Sequence, residues 1–439
     1  MPLFDIPTRK SRDIDNTVLK QSTTKKKTIS SVRGGKSLVD RIASINDMVK
    51  RKLGHLTNET LLITTEYDLH KYIDSCIENG ICAIDTETTG LDPLTDKIVG
   101  WSICTLGNNP AYIPINHESY ITNVRCDNQL TEEITKQELD RLIKYNVKIV
   151  MFNADFDIRV FRHTCNCYLT CYWDCYLGAR VLNENEPVNR LKPLHAKYVL
   201  NGREDAFTFD DLFKGITFNL IPINTGYLYA AHDAKITLEL YQFQSQYLYY
   251  EEDKPFDARN GMNGVSYAFF TIEMPIVGIV CDMEDNGISL DLDYSNKLSI
   301  KYHEQLNNAE KEFYDELKMY QDDIDSYLDN HPLAKLDNPI NISSSSQLAI
   351  LIYDILGIEP LDTQNPRGTG VDILKKMELP LAKKILKYRE VAKLISTYID
   401  KLPEVINKRT GRLHCKFNSY GADTGRFSSS DPKQNWALA

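Results

Sequence analysis

The chain has 439 residues, 42% of them hydrophobic, and a formal net charge of −10, which excludes a disordered or fibrous protein and predicts roughly two to four globular domains. No apolar run is expected to cross a bilayer and no signal region with a cleavage site is found, so we expect a cytoplasmic protein with no membrane contact. Ten cysteines are scattered from Cys76 to Cys415 and are expected to be free thiols in a reducing compartment.

The first 54 residues differ in charge from the rest. They hold 13 Lys and Arg against 5 Asp and Glu, whereas the remainder holds 38 against 56. An acidic average does not exclude nucleic-acid binding, because a metal-dependent nuclease needs carboxylates and its ions reverse the local field. Basic residues are needed only on the surface that contacts the DNA phosphates. We predict that residues 1–54 form a basic, disordered arm with one helix near 38–52.

Short strands alternate with helices between about residue 60 and Tyr250. Two apolar runs, 98–106 and 111–116, are predicted to be adjacent strands joined by a turn at 107–110. Further strands are expected at 81–87 and 148–153, and helices at 66–80, 135–145, 154–164, 174–183 and 226–249. This alternation indicates an α/β domain over residues 55–250.

Beyond a polar connector at 251–265, the chain is predicted to be mainly helical. The helices are expected at 266–287, 294–328, 341–357 and 381–406. Residues 412–430 then have the pattern of a strand, a loop and a second strand. The second half of the chain is therefore expected to be a separate, mainly α-helical region.

Two carboxylates lie at the end of a buried strand, in the segment DTETTGLD (85–92). Because side chains alternate along a strand, Asp85 and Glu87 point to the same face. Paired carboxylates repel each other unless a cation lies between them, and Mg²⁺ and Mn²⁺ prefer oxygen ligands. The pair alone is weak evidence for a metal site, since a strand end that reaches solvent carries similar residues.

A second acidic segment, NADFD (153–157), directly follows the strand predicted at 148–153. A third carboxylate at this strand end could join the first two if the two strands are adjacent in the sheet. Both Asp155 and Asp157 are candidates, and the residues themselves do not decide between them.

A third segment, YAAHD (229–233), lies inside a predicted helix. Tyr229 and Asp233 are four residues apart and therefore share one helix face. A phenol beside a metal-binding carboxylate can orient an attacking water. A YxxxD pattern is also common on solvated helices, so this segment is informative only together with the other two.

In order and spacing, DTETTGLD, NADFD and YAAHD resemble the three motifs of proofreading 3′–5′ exonuclease domains, which have an RNase H-like fold with a mixed sheet flanked by helices. The family places a ligand four residues after Asn153, so the resemblance prefers Asp157 to Asp155. It implies four metal ligands and one residue that positions the attacking water: Asp85, Glu87, Asp157, Asp233 and Tyr229.

The resemblance also implies a reaction and its cofactors. Two divalent ions, Mg²⁺ or Mn²⁺, would support hydrolysis of the last phosphodiester at a single-stranded DNA 3′ end, releasing 5′-nucleoside monophosphates. Asp85 is expected to bridge both ions. Thr88 and Leu91 match positions that contact the terminal nucleotide in this family, and Asn153 is expected to bind substrate as well.

Five segments follow one another in the second half of the chain: 272–291, 341–360, 387–403, 410–414 and 424–432. In order and spacing they resemble family A DNA polymerases of the DNA polymerase I type, including their phage relatives, and we expect a phage-type protein. A helical thumb over 266–409, which holds the primer–template duplex by its backbone, and the start of a palm over 410–439 are implied. Arg426 matches an arginine that reaches the minor groove near the primer end.

The metal-binding aspartates of the palm and the nucleotide-binding lysine helix of the fingers are not found in the chain. We therefore expect an exonuclease for proofreading in DNA replication that cannot polymerise alone. The chain would be a fragment, an interrupted gene product, or one piece of a split polymerase whose palm and fingers come from a second polypeptide. The rival hypothesis is a primer–template DNA-binding subunit without independent catalysis. An RNA exonuclease is disfavoured, because RNA trimming needs no duplex clamp.

Four cysteines and one aspartate, Asp174, follow the second motif. The spacing of the four cysteines does not match a standard zinc site, so buried free thiols are predicted. Asp174 is expected either to support the site from behind its ligands or to cap a helix. The cysteines concerned are Cys165, Cys167, Cys171 and Cys175.

Overall fold

The computed structural model describes residues 37–187, 190–203, 207–249, 262–419, 421 and 426–430. Within these ranges the strands are β1 (Leu61–Leu62), β2 (Ile81–Thr88), β3 (Ile98–Thr105), β4 (Ala111–Pro114), β5 (Lys148–Met151), β6 (Trp173–Asp174), β7 (Lys416–Asn418) and β8 (Ser428–Ser430). The α-helices are α1 (Leu38–Leu53), α2 (Glu66–Asn79), α3 (Glu132–Lys144), α4 (Ala154–Cys165), α5 (Cys175–Leu182), α6 (Leu191–Tyr198), α7 (Phe209–Phe213), α8 (Ile223–Gln244), α9 (Met262–Ala268), α10 (Met274–Asn286), α11 (Leu292–Leu317), α12 (Gln321–Asn330), α13 (Ser345–Ala349), α14 (Val371–Leu374), α15 (Pro380–Leu394) and α16 (Lys401–Glu404). Short 3₁₀ or π segments lie at Gly54–Glu59, Phe218–Leu220, Phe269–Glu273, Lys318–Tyr320, Ile350–Ile355 and Ile395–Ile399.

A six-stranded mixed sheet forms the centre of the first domain. Its strand order is β1–β4–β3–β2–β5–β6, and β2 lies between an antiparallel neighbour, β3, and a parallel neighbour, β5. The predicted turn joins β3 to β4, which pair antiparallel, and its Gly107 has a φ of 75°. The mixed sheet that the resemblance implied is confirmed, and the strand that carries DTETTGLD lies in its interior.

Helix α2 ends at its C-cap, Gly80, directly before β2 begins. The Thr65 hydroxyl accepts a hydrogen bond from the Asp68 N–H at the start of α2, and the Gly80 N–H donates to the Cys76 carbonyl at its end. Gly80 has a φ of 68°, where a residue with a Cβ would be strained. The first four residues of β2 are buried and the last four are half-buried. The strand therefore leaves the core at the point where its carboxylates begin.

Two apolar cores hold the described part of the first domain. The larger core contains side chains from the sheet, α2 to α5 and α8, and it includes the fully buried Trp101 and Trp173. The smaller core joins α1, α7 and α8 around Phe213 and Phe218. Since α8 contributes to both cores, its position on the sheet is fixed from two sides.

The first helix belongs to the smaller core. Ser37 and Asp40 form a capping box at its start, which confirms the helix predicted near 38–52. Its apolar face is buried against α7 and α8, so these residues do not form part of a disordered arm. We propose that the first domain includes α1 and therefore begins before residue 54; residues 1–36 lie outside the described ranges. The buried residues of α1 are Ile42, Ile45, Val49 and Leu53.

The second region has its own core, in which α11 packs along α15 and Phe313, Leu351 and Leu381 are buried. The predicted long helices are present but interrupted, because a 3₁₀ turn separates α11 from α12 and π turns follow α13 and α15. β7 and β8 form the predicted antiparallel pair, with Phe417 opposite Ser429. Most of the predicted connector lies outside the described residues.

One helix, Gly264–Asn286, is long and apolar enough to cross a membrane, with a mean hydropathy of 1.6 over an 18-residue window. This corrects the expectation that no such run exists. Its Phe269 and Met274 nevertheless pack into the larger core, and its acidic end pairs with Arg159 and Arg162 of α4. These contacts are those of a helix that attaches the second region to the first domain.

Candidate active site

One strand and one helix bring three carboxylates together. Asp85 and Glu87 project from the same face of β2, and Asp233 comes from α8, which packs across β2 and β3. One carboxylate oxygen from each residue lies within 4.8 Å of the others. Asp233 is buried, whereas Asp85 and Glu87 are half-buried at residue level. We call these three residues the carboxylate trio; they are three of the four predicted metal ligands.

The charges of the carboxylate trio repel one another. Burial raises the pKa of Asp85 well above its ordinary value, and the negative charges of Asp157, Asp233 and Glu87 raise it further. The pKa of Glu87 is also raised, first by burial and then by Asp233 and Asp157. A cluster of buried carboxylates is destabilising unless a cation compensates it. The electrostatics therefore favour a cation between these side chains.

The spacing of the carboxylate trio fits a divalent ion. Mg²⁺ binds carboxylate oxygens at about 2.0–2.1 Å, so two oxygens on opposite sides of one ion lie about 4.2 Å apart. The oxygens of the trio all lie within 4.8 Å of one another, which is close to this separation. All three donors are hard oxygens, which favour Mg²⁺ or Mn²⁺ over softer metals.

The structure separates the two acidic residues of NADFD. Oδ1 of Asp157 accepts hydrogen bonds from the Thr86 N–H, at 3.1 Å, and from the Thr86 hydroxyl. Asp155 instead lies with Oδ2 3.8 Å from Nζ of Lys416 in β7. Burial raises the pKa of Asp157 to about 7, and the bonds from Thr86 oppose this shift. Asp157 is therefore bound to the strand that carries Asp85, whereas Asp155 faces the second region.

Tyr229 and a lysine that the sequence analysis missed lie beside Asp233. The side chain of Tyr229 is buried against Phe213 of the smaller core. Nζ of Lys192 lies 2.7 Å from Oδ1 and 2.9 Å from Oδ2 of Asp233, and 3.9 Å from the centre of the Tyr229 ring. Lys192 belongs to α6, a helix that was not predicted. It is 41 residues from Asp233, so no local pattern in the sequence indicates the contact.

Comparison with known families agrees with this geometry. A family model for 3′–5′ exonuclease domains matches residues 61–246, which include the carboxylate trio. A family model for DNA polymerase family A matches residues 303–435, which include most of the second region. The chain therefore contains a 3′–5′ exonuclease domain and a region that matches part of the DNA polymerase family A model. We refer to its two parts as the exonuclease domain and the polymerase region.

The curated relatives that this chain resembles are longer than the chain. DNA polymerase I of Treponema pallidum is 30% identical over 443 residues, which cover 92% of this chain and 40% of the relative. DNA polymerase I of Chloroflexus aurantiacus is 29% identical over 362 residues, covering 80% of this chain and 34% of the relative. The chain thus spans about a third to two fifths of these relatives. Both are bacterial, so a phage-type source stays a prediction.

A solved structure shares the fold. The polymerase domain of Pol1 from M. smegmatis, in complex with DNA primer-template and dNTP, superimposes with a TM-score of 0.61 at 18% identity. The superposition covers 85% of this chain and 55% of that chain. At this identity the match supports the α/β and helical architecture and leaves the site to be argued from its own residues.

Asp174 fixes the start of two helices in the exonuclease domain. Its Oδ1 accepts hydrogen bonds from the N–H groups of Asn153, at 3.0 Å, and Tyr176, at 2.8 Å, and its Oδ2 accepts from the Ala154 N–H at 2.8 Å. Asn153 has a left-handed φ of 62°, which turns the chain from β5 into α4. Asp174 therefore both caps α5 and supports the segment that carries Asp157, so both of the predicted roles are observed.

Replacement of Asp174 by alanine is expected to lower the free energy of unfolding of the exonuclease domain by about 2–4 kcal/mol, because buried N–H groups lose their acceptor. Burial raises the pKa of Asp174 to about 6, so removal of a costly buried charge offsets part of the loss. Urea denaturation followed by circular dichroism measures the change. Asp68→Ala, an exposed carboxylate at the start of α2, is the control. An Asp174→Ala variant as stable as that control would contradict the proposed support.

The residues expected to contact substrate have different surroundings. Leu91 is 90% exposed, and the Thr88 hydroxyl donates to the Gly90 carbonyl at 2.6 Å, directly after the irregularity in β2. Arg426 is exposed just before β8, and Asn153 is held by its backbone. Their contacts with a nucleotide stay predictions.

Buried ion pairs join the exonuclease domain to the polymerase region. Nε of Arg159, in α4, donates to Oδ1 of Asp285 at 2.7 Å, and its Nη1 donates to Glu284 of α10. Glu284 is 1% exposed and also accepts a hydrogen bond from the Phe417 N–H of β7, at 2.7 Å. Arg162 donates a further bond to Asp285 at 2.8 Å. The helix that holds Asp157 is thus bound directly to the polymerase region.

None of the four clustered cysteines forms a disulfide. Three of their thiols are buried, as predicted, and that of Cys171 is half-buried. Burial raises the pKa of each thiol, which disfavours the thiolate that zinc requires. The cysteines are Cys165, Cys167, Cys171 and Cys175.

Proposed function

We propose that the exonuclease domain removes nucleotides from DNA 3′ ends with two divalent ions, Mg²⁺ or Mn²⁺, and serves proofreading in DNA replication. The carboxylate trio carries this proposal, because three oxygens within 4.8 Å lie inside the segment that matches 3′–5′ exonucleases. The use of divalent metal follows from that family. The number of ions and their identity as Mg²⁺ or Mn²⁺ are part of our proposal.

Each carboxylate has a defined part in this proposal. Asp85, Glu87 and Asp233 would hold the ions, and Asp157, held by Thr86 on the same strand, would complete the ligand set. When bound, the ions would lower the pKa of an attacking water and stabilise charge on the leaving 3′ oxygen. The protein fixes the ligands before substrate arrives, because β2 and α8 belong to a packed core.

Tyr229 is proposed to orient the water. Its ring is held in the smaller core, and burial together with the negative charge of Asp233 raises the pKa of its phenol. The phenol therefore stays protonated at neutral pH and can donate a hydrogen bond beside the ligands. It positions a reactant and is not expected to take up the proton itself.

DNA is the proposed substrate, and two features support it. The relatives are DNA polymerases I, and the solved structure with the same fold was determined with a DNA primer-template. The helices of residues 266–409 are proposed to form a thumb that binds duplex DNA through its phosphates, with exposed Lys393 of α15 near the DNA. Residues 410–439 are proposed to begin the palm, and the protein is proposed to be cytoplasmic.

The 439-residue segment is proposed to shorten DNA without extending it. The palm aspartates and the nucleotide-binding lysine helix expected of the family are not found in the sequence, and the chain spans about a third to two fifths of its relatives. Polymerisation would need the palm and fingers, either in cis or from a second polypeptide. A DNA-binding role without catalysis is the alternative that the following experiment separates.

We expect the purified segment to convert 5′-labelled single-stranded DNA into a ladder of shorter products with Mg²⁺ or Mn²⁺, and to leave it intact with a chelator. A labelled primer–template with all four dNTPs is expected to be shortened and not extended. Single-stranded RNA of the same sequence serves as the matched substrate control. Binding of DNA without shortening in either metal would favour the DNA-binding role without catalysis. Extension of the primer would contradict the proposal that the chain does not polymerise DNA by itself.

A further inference from the structure

A buried lysine lies against the carboxylate trio. The side chain of Lys192 is 13% exposed and that of Asp233 is 10% exposed. The ammonium contacts both oxygens of Asp233, at 2.7 Å and 2.9 Å. The ammonium donates a hydrogen bond to Oδ2 and lies at ion-pair distance from Oδ1. An ion that binds either oxygen would therefore meet the positive charge of the ammonium at close range.

The same ammonium also contacts the residue proposed to orient the water. It lies 3.9 Å from the centre of the Tyr229 ring, within the range of a cation–π interaction. Lys192 is the second residue of α6, and its flexible side chain can move by several ångströms without a change in the backbone. If the Lys192 ammonium moved away from Asp233, it would therefore also move away from the Tyr229 ring.

We infer that Lys192 is the counter-ion of the metal-free exonuclease site, which keeps the carboxylate trio assembled and releases Asp233 when a divalent ion binds. This inference rests on the proposed function, since it takes the carboxylate trio as the metal site. Lys192 is a positioning residue: it neutralises part of the charge before the ion arrives and then makes way for it. The ion affinity of the wild-type site is therefore lowered by the ammonium that it displaces.

Two measurements without DNA test this role. Replacement of Lys192 by methionine is expected to raise the affinity for Mn²⁺, measured by calorimetric titration at pH 8, by about tenfold, because no ammonium has to be displaced from Asp233. In the presence of a chelator, the same variant is expected to melt several degrees below the wild type, because the carboxylate trio loses its counter-ion. A purely structural lysine would lower the melting temperature without raising the metal affinity.

Two variants serve as controls. Lys192→Arg retains the positive charge and is expected to keep Mn²⁺ affinity within about threefold of the wild type. Lys235→Met removes a charge from α8 two residues after Asp233, where Nζ lies 3.9 Å from Glu59 instead, and is expected to change neither measurement. An unchanged or weaker Mn²⁺ affinity of Lys192→Met, with weaker DNA binding, would overturn the inference and assign Lys192 to a substrate phosphate.

The wild-type protein provides a test that does not depend on a variant. The ¹⁵Nζ resonance of Lys192 is expected to be protected from solvent exchange in chelator and to lose this protection when Mg²⁺ is added. Persistence of the protected resonance at saturating Mg²⁺ would overturn the inference even if Lys192→Met does not fold. A wild-type protein that binds no Mn²⁺ and shortens no DNA would instead contradict the proposed function itself.

Discussion

Replacement of Asp85 by asparagine is expected to lower the rate of 3′ end removal by about 10³-fold or more, because a lost ligand removes about 4 kcal/mol of metal-dependent stabilisation of the transition state. The fold should survive, since Asp85 lies at the half-buried end of β2. In chelator, we expect the variant to be at least as stable as the wild type. Burial and three neighbouring charges raise the pKa of Asp85, so a neutral side chain relieves repulsion.

Two variants in the segment NADFD accompany this prediction, one at the proposed ligand Asp157 and one, as the matched control, at Asp155. Asp157→Asn is expected to impair the exonuclease nearly as much as Asp85→Asn, whereas Asp155→Asn is expected to stay within about threefold of the wild type, because Asp155 faces Lys416. Single-turnover rates on labelled single-stranded DNA, with melting temperatures in chelator, separate catalysis from stability. Equal losses for Asp155→Asn and Asp157→Asn would contradict the assignment of the ligand, and an active Asp85→Asn would contradict the site.

Replacement of Arg159 by methionine is expected to destabilise the contact between the exonuclease domain and the polymerase region by about 3–5 kcal/mol, because Glu284 would stay buried without its cation. Asp285 would be affected less, since Arg162 and His163 still bind it. Hydrogen exchange of α10 should report the change directly, as faster exchange confined to that helix and to β7.

The destabilisation should depend on pH. Burial raises the pKa of Glu284 to about 7 even with Arg159 present, whereas its ordinary value is 4.5. Since the positive charge of Arg159 lowers this pKa, removal of Arg159 raises the pKa of Glu284 further. The variant therefore loses more stability than the wild type as pH rises above about 7, where the unfolded state has released the proton that the folded variant keeps. The penalty of Arg159→Met should therefore be smaller at pH 6 than at pH 8.

Two variants control the Arg159 prediction. Adding Glu284→Gln to Arg159→Met should recover most of the lost stability, because no buried charge remains. Arg367→Met breaks an exposed pair with Asp354 and should change the free energy of unfolding by less than about 1 kcal/mol. A cost of Arg159→Met equal to that of Arg367→Met would show that the buried pair does not hold the two parts together.

Most elements of the exonuclease domain could be predicted from the sequence. The short apolar run of β2, the helix that ends near Gly80 and the turn at Gly107 depend on neighbouring residues, and each was found where the pattern indicated. The long helices of the polymerase region were also predicted, although their interruptions were not. Short elements with weak patterns, such as α6 and α7, were missed because a few residues give too little periodicity.

The candidate site was only partly readable from the sequence. Strand alternation alone places Asp85 and Glu87 on one face, and helix spacing alone places Tyr229 next to Asp233. The residues of NADFD did not decide between Asp155 and Asp157, and that choice came from family spacing. The structure adds a physical reason, because the Thr86 N–H and hydroxyl bind Asp157 while Asp155 faces a lysine more than 200 residues away along the chain.

The sequence by itself determined most of the longer strands and helices, the residues proposed to bind a metal, and the two families that the chain resembles, because periodicity and motif spacing are properties of short segments. The tertiary structure decided which distant side chains meet. Lys192 reaches Asp233 across 41 residues, and Arg159 reaches Glu284 across 125. Such contacts depend on how packed helices cross the sheet, and no local pattern encodes that arrangement.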